Sequence, residues 1–106
     1  MERGEVWWVR FDPALGGEVR KNRPAVIVSN DAANRTLNRL QVVPLTSKVS
    51  RLYPSEAYVD LGGEKRKAMA DQLATVSKKR LGERIGRLSA ADVAEVERAI
   101  RMQLGL

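Results

Sequence analysis

The chain has 106 residues, enough for one domain with a small core, and carries 19 Lys+Arg against 13 Asp+Glu, for a net charge of +6 and a pI near 10.2. It contains no cysteine and no histidine. That excludes a disulfide framework, a thiol nucleophile, a Cys/His zinc site, a Ser-His triad and a histidine acid/base pair. The charge is uneven: the segment from Ser89 onward sums to −1, which leaves +7 on residues 1–88 and points to a polyanion or an acidic protein as partner.

Met1-Glu2-Arg3 leads into no apolar signal core and no apolar run approaches a membrane span, so the expected location is the cytoplasm, away from membranes. Gly4 to Phe11 is rich in aromatic and β-branched residues and predicts a strand, with Trp7, Val9 and Phe11 on one face and Val6, Trp8 and Arg10 on the other. Both faces are largely apolar, as in an inner strand or one that meets a partner. For Trp8, packing in the core or a dimer outweighs base stacking.

Asp12-Pro13 ends that strand, and a glycine-softened loop follows with Glu18, Arg20, Lys21 and Arg23. Pro24 pushes Arg23 towards an extended conformation, and Ala25 to Val28 is an apolar run too short for a helix. A buried strand therefore carries a cationic loop at its mouth, and Arg23 is placed there to meet a phosphate.

Asn30-Asp31 offers the cap of a short helical turn. Leu40 to Leu45 is a third strand, which Pro44 predicts to be an edge or bulged. Thr46-Ser47 follows; taken alone, such hydroxyls satisfy backbone groups of a turn. Lys48 to Pro54 is polar loop, Ala57 to Leu61 a fourth strand closed by Gly62-Gly63, and Glu64 to Lys67 a charged stretch. Ala68 to Val76 reads as a fifth strand with Asp71 and Gln72 in its middle, Asp71 being either solvated or placed for a purpose. Ser77 to Leu81 is a basic turn and Arg84 to Leu88 a last short strand.

Ser89 to Asp92 has the form of a helix cap, with Val93, Val96, Ile100 and Leu104 at helical spacing behind it. Five or six strands followed by a helix, without alternation, predict a small mainly β fold over residues 1–106. The sheet is a strongly curved antiparallel barrel closed by the C-terminal helix.

With RNA as the polyanion, this inventory permits cleavage, because the 2′-hydroxyl attacks its own phosphate and no protein nucleophile is needed. Asp12, Glu18, Asp31 and Asp71 are scattered through separate segments, which disfavours a carboxylate metal site. A metal-free reaction ending in a 2′,3′-cyclic phosphate is the consistent chemistry.

The ordered set Arg3-Gly4-Glu5-Val6-Trp7, Asp12-Pro13, Gly17-Glu18, Arg23-Pro24-Ala25-Val26-Ile27-Val28, Val42-Val43-Pro44-Leu45-Thr46-Ser47, Asp71-Gln72 and Ile85-Gly86 resembles the MazF/PemK (Kid) family of toxin endoribonucleases over essentially the whole chain. The resemblance implies an SH3-like barrel, a homodimer binding single-stranded RNA across its groove, and an antitoxin whose acidic tail occupies that groove. No metal and no cofactor are expected. The family's catalytic Arg and Thr map onto Arg23 and Thr46. Arg23 suits charge stabilisation, since a guanidinium is a poor proton acceptor. Glu18 is either the proton acceptor or the ion-pair partner that orients Arg23.

One branch of the family uses a His after the loop glycine and a later Arg-x-Asp. Here those positions read Gly17 and Met69-Ala70-Asp71, so only Asp71 remains, as a residual base or a nucleobase contact. Arg20, Lys21, Ser47, Lys48, Arg51 and Gln72 are the expected RNA contacts, and the loops Gly16–Asn22 and Lys48–Ser55 the expected determinants of base choice. Two other functions compete: a basic barrel that binds without cutting, and a gyrase poison of the same fold. The tail Gln103-Leu104-Gly105-Leu106 lacks the aromatic residue the latter uses.

Overall fold

The computed structural model describes residues 1–11 and 22–106. The expected site residues Glu18, Arg20 and Lys21 therefore lie outside the described residues. Within them the chain forms β1 (Glu5–Val9), β2 (Arg23–Ile27), α1 (Asp31–Thr36), β3 (Arg39–Thr46), β4 (Glu56–Leu61), β5 (Glu64–Met69), β6 (Ala74–Ser77), β7 (Leu81–Arg87) and α2 (Ala90–Leu104), with 3₁₀ turns at Ala70–Gln72 and Lys78–Arg80. The strands run in the order β4-β5-β3-β2-β1-β7, with β6 also paired to β3, and all pairings are antiparallel. The expected mainly β fold with a C-terminal helix is present, with seven described strands in place of five or six.

The central strands are apolar on both sides because both faces of the curled sheet are covered. Val6, Val26, Val43 and Leu45 pack on one face with Val96 and Ala99 of α2. Val9, Ala25, Ile27, Leu40 and Val42 pack on the other with Val76, flanked by Trp7, Phe11 and Leu81. Burying each of these side chains is worth about 1.5–3 kcal/mol, and continuous runs such as Ala25–Ile27 follow from having a core on either side.

Pro44 predicts an edge strand, and here the structure differs: β3 lies at the centre, paired with β2, β5 and β6. The pairing with β6 runs from Arg39 to Val42 and that with β5 begins at Leu45, so the proline sits in the seam between two partners. A missing N–H costs little there.

The single strand expected over Ala68–Val76 is two strands joined by the 3₁₀ turn at Ala70–Gln72. Gly62 and Gly63 both take positive φ, +60° and +86°, and make the two-residue turn that pairs Leu61 with Glu64. Turn geometry thus makes the charged stretch Glu64–Lys67 a strand despite its polarity. The chain must then pass from the β5 slot to the β6 slot along the same side of β3, and the 3₁₀ turn makes that step.

Asn30 caps α1 as expected, its side chain accepting from the Ala33 amide at 2.8 Å. Ser89 caps α2 by accepting from the Asp92 amide at 3.1 Å. The Asp92 carboxylate does not complete the box; it accepts from the Asp60 amide at 2.8 Å and ties α2 to β4. Leu104 leaves the expected packing face, being 54% exposed, because α2 outruns the sheet beyond Ile100. Burial raises the pKa of Glu5, but the Trp7 indole N–H, the Glu2 amide, the N-terminal ammonium and Arg84 outweigh it and hold the carboxyl below its usual value. Among the described residues no helix is long and apolar enough to cross a membrane.

Candidate active site

Arg23 opens β2, and its place is fixed on both sides. Val9 of β1 lies opposite it. Between β2 and β3, Ala25 faces Pro44, Val26 faces Val43 and Ile27 faces Val42. Continuing that register by two residues sets Arg23 opposite Thr46. Thr46 in turn faces Lys67 of β5, and Lys67 faces Tyr58 of β4. Residues directly opposed across a ladder share a face, so Val9, Arg23, Thr46, Lys67 and Tyr58 form one row across the sheet. Strand pairing alone thus sets in register two residues far apart in sequence.

The Arg23 Nε is buried and has no hydrogen-bond partner among the described residues. A buried donor left unpaired costs about 1–3 kcal/mol, more when charged, so this guanidinium is poised for an acceptor that the described residues do not supply. Thr46 is buried at the end of β3, and its Oγ1 accepts from the Lys48 amide at 3.2 Å. The turn-satisfying role expected of a strand-exit hydroxyl is therefore met, yet it uses only the oxygen. The hydroxyl proton is left to donate elsewhere.

Lys67 is the residue the sequence reading missed. It is buried in the same row, with Nζ 3.0 Å from Glu56 Oε1 and 2.8 Å from the Arg51 carbonyl oxygen. Glu56 is buried as well and also accepts from the Tyr53 amide at 2.8 Å. The signal that finds part of this is the Gly62-Gly63 turn: counting the hairpin back from it sets Lys67 opposite Tyr58, while its place beside Thr46 comes from the pairing of β3 with β5.

Ser47, Lys48 and Arg51 are exposed on the loop that leaves Thr46, so three of the expected RNA contacts adjoin the row. Asp71 and Gln72 do not sit in a strand. They lie on the 3₁₀ turn that packs against β3 and α2, with Asp71 exposed and Gln72 half-buried. Among the described residues no hydrogen bond or ion pair joins Asp71 to Arg23 or Thr46.

Residues 2–104 match the family model for the PemK-like, MazF-like toxin of type II toxin-antitoxin systems. The chain is 41% identical to endoribonuclease MazF9 of Mycobacterium tuberculosis over 115 aligned residues, covering all of this chain and 98% of that protein. Among solved structures it superposes on MazF of Deinococcus radiodurans with a TM-score of 0.87, at 28% identity, over 100% of this chain and 97% of that one. It also superposes, at 28% identity, on a mycobacterial endoribonuclease in complex with its cognate antitoxin, with a TM-score of 0.82 over 100% and 96% of the two chains.

Proposed function

The chain belongs to the PemK-like, MazF-like toxin family of type II toxin-antitoxin systems, and from that premise we propose how it works as an endoribonuclease. It cuts single-stranded RNA at a short recognition sequence without a metal. The 2′-oxygen loses its proton and attacks the adjacent phosphorus, the bond to the 5′-oxygen breaks with a proton passing to that oxygen from solvent, and the products are a 2′,3′-cyclic phosphate and a 5′-hydroxyl. The observation that carries this reading is the buried, unpaired Nε of Arg23 in register with Thr46.

The pentacoordinate transition state carries one negative charge more than the diester. Arg23, with its Nε buried before substrate arrives, gains most from that added charge. Thr46, already held by the Lys48 amide, donates a hydrogen bond to a non-bridging oxygen. The acceptor of the 2′ proton is one of two carboxylates, Glu18 or Asp71. Ser47, Lys48 and Arg51, together with Arg20, Lys21 and Gln72, hold the strand, the cations through phosphate contacts that weaken with salt.

The test is cleavage of a long unstructured RNA in excess EDTA, with analysis of the new 3′ ends. Cutting at a recurring short sequence with cyclic phosphate ends is expected, lost in Thr46→Ala and retained without metal. Intact RNA bound in a salt-sensitive way would move the function to a binding module. Glu18→Gln and Asp71→Asn in the same assay identify the base, as the variant that binds without cutting.

The partner that restrains the toxin is an antitoxin, whose acidic tail would seat on the basic surface. The active form is a homodimer. What supports the dimer is Trp8, which is 42% exposed on β1 although β1 is an inner strand of the sheet. Sedimentation at micromolar concentration should report twice the 11.8 kDa chain mass; a monomer would remove any groove built across a two-fold axis.

A further inference from the structure

Tyr53 stands on the exposed loop between β3 and β4, and the residue is 52% exposed. The Nζ of Lys67, which rises from the row beside Thr46, is 5.6 Å from the ring centroid. The Arg51 guanidinium carbon is 5.8 Å from the same centroid, and Arg51 Nη1 donates to the Tyr53 hydroxyl at 3.3 Å. An open aromatic surface therefore stands one side chain away from the Arg23–Thr46 pair, with a cation on the same ring.

The loop that holds the ring is tied down to a degree unusual for exposed chain. Tyr58 donates its hydroxyl to the Val49 carbonyl at 2.8 Å. Lys67 donates to the Arg51 carbonyl, and the buried Glu56 carboxylate accepts from the Tyr53 amide. The Glu56 amide donates back to the Tyr53 carbonyl at 2.9 Å, and Arg98 Nη1 donates to the Pro54 carbonyl at 3.3 Å. Backbone held at Val49, Arg51, Tyr53 and Pro54 fixes the ring before any ligand arrives, which lowers the cost of ordering on binding.

We infer that Tyr53 is the stacking platform for an unpaired base next to the scissile phosphate. Unpaired bases are gripped by aromatic faces and by guanidinium planes, and here Arg51 and Tyr53 present both. Stacking at this point holds one base of the strand beside the phosphate that Arg23 meets, so the ring contributes to binding of the strand and not to the chemical step. The inference rests on the ribonuclease reading and assigns it a base-binding residue.

The experiment uses two probes. One is a cleavable RNA. The other is the same oligonucleotide with 2′-deoxy sugars throughout and 2-aminopurine at single positions around the cut site, which binds but cannot be cut. Wild type should quench the fluorescence at one position. Tyr53→Ala should lose that quench and raise KM for the cleavable RNA about tenfold, with kcat and the thermal midpoint changed far less. Tyr53→Phe and Tyr53→Trp should keep both. Wild-type quenching and KM in Tyr53→Ala would overturn the inference, as would a Tyr53→Phe variant as impaired as alanine, since the hydroxyl and not the ring would then be in use. A wild-type protein that leaves RNA intact would overturn the ribonuclease reading instead, and the quench on the deoxy probe would still decide the stacking.

Discussion

Arg23→Ala is expected to lower single-turnover cleavage of single-stranded RNA by about 10³-fold, with RNA affinity changed far less. The magnitude follows from where the charge develops. The bound phosphodiester carries one negative charge spread over two oxygens, and many exposed cations on this basic chain can meet it. Only a donor already desolvated and aimed gains when the phosphorane takes on further charge. Arg23→Lys should recover little, because an ammonium offers a point charge where the guanidinium offers a planar fork. A second readout separates this role from a structural one. The Nε is buried without a partner among the described residues, so alanine removes a standing cost, and the thermal midpoint of Arg23→Ala should equal or exceed that of wild type. Cleavage at the wild-type rate would take the row of opposed residues out of the chemistry. A large fall in the midpoint would mean that Arg23 serves the fold.

What could be read in advance, and what could not, divides along the range of the interactions. The strand at Ala25–Ile27 was legible because burial on both faces leaves a run of apolar residues, and the caps Asn30 and Ser89 because they act within three residues. Arg23 and Thr46 were legible through the motif they stand in, yet nothing local says that they oppose each other. That fact lives in the pairing of β2 with β3. Pro44 misled because the rule it follows concerns a missing ladder bond, and the centre of this sheet has a seam where that bond is not needed. Asp71 was placed mid-strand because alternation over Ala68–Val76 cannot reveal that β3 changes partner beneath it. Lys67 was invisible for the opposite reason. A lysine in a charged run reads as surface, and only the glycine turn at Gly62-Gly63 puts it inside.

Lys67→Met tests the same clasp from the side of stability, with an expected loss of roughly 3–5 kcal/mol, a large fraction of the 5–15 kcal/mol that holds a typical domain. Lys67 and Glu56 have side chains only 9% exposed each and lie 3.0 Å apart. Removing the ammonium leaves a buried carboxylate with the Tyr53 amide as its remaining donor, and leaves the Arg51 carbonyl without its lysine. The pair itself need not be worth much: replacing both members with apolar groups of similar volume is often neutral. Lys67→Met with Glu56→Leu should therefore regain most of the stability lost by the single variant, measured by urea unfolding as a double-mutant cycle. Activity should not follow. With both charges gone, the Arg51 carbonyl and the Tyr53 amide lose their side-chain partners and only the Glu56 amide still holds the Tyr53 carbonyl, so KM for RNA should stay raised in the double variant although the fold has recovered. Recovery of stability without recovery of KM would mean that the buried ion pair holds the loop in place for the substrate. A double variant restored in both would reduce the clasp to packing, and the placement of the loop would have to come from Tyr58, Arg98 and the Glu56 amide.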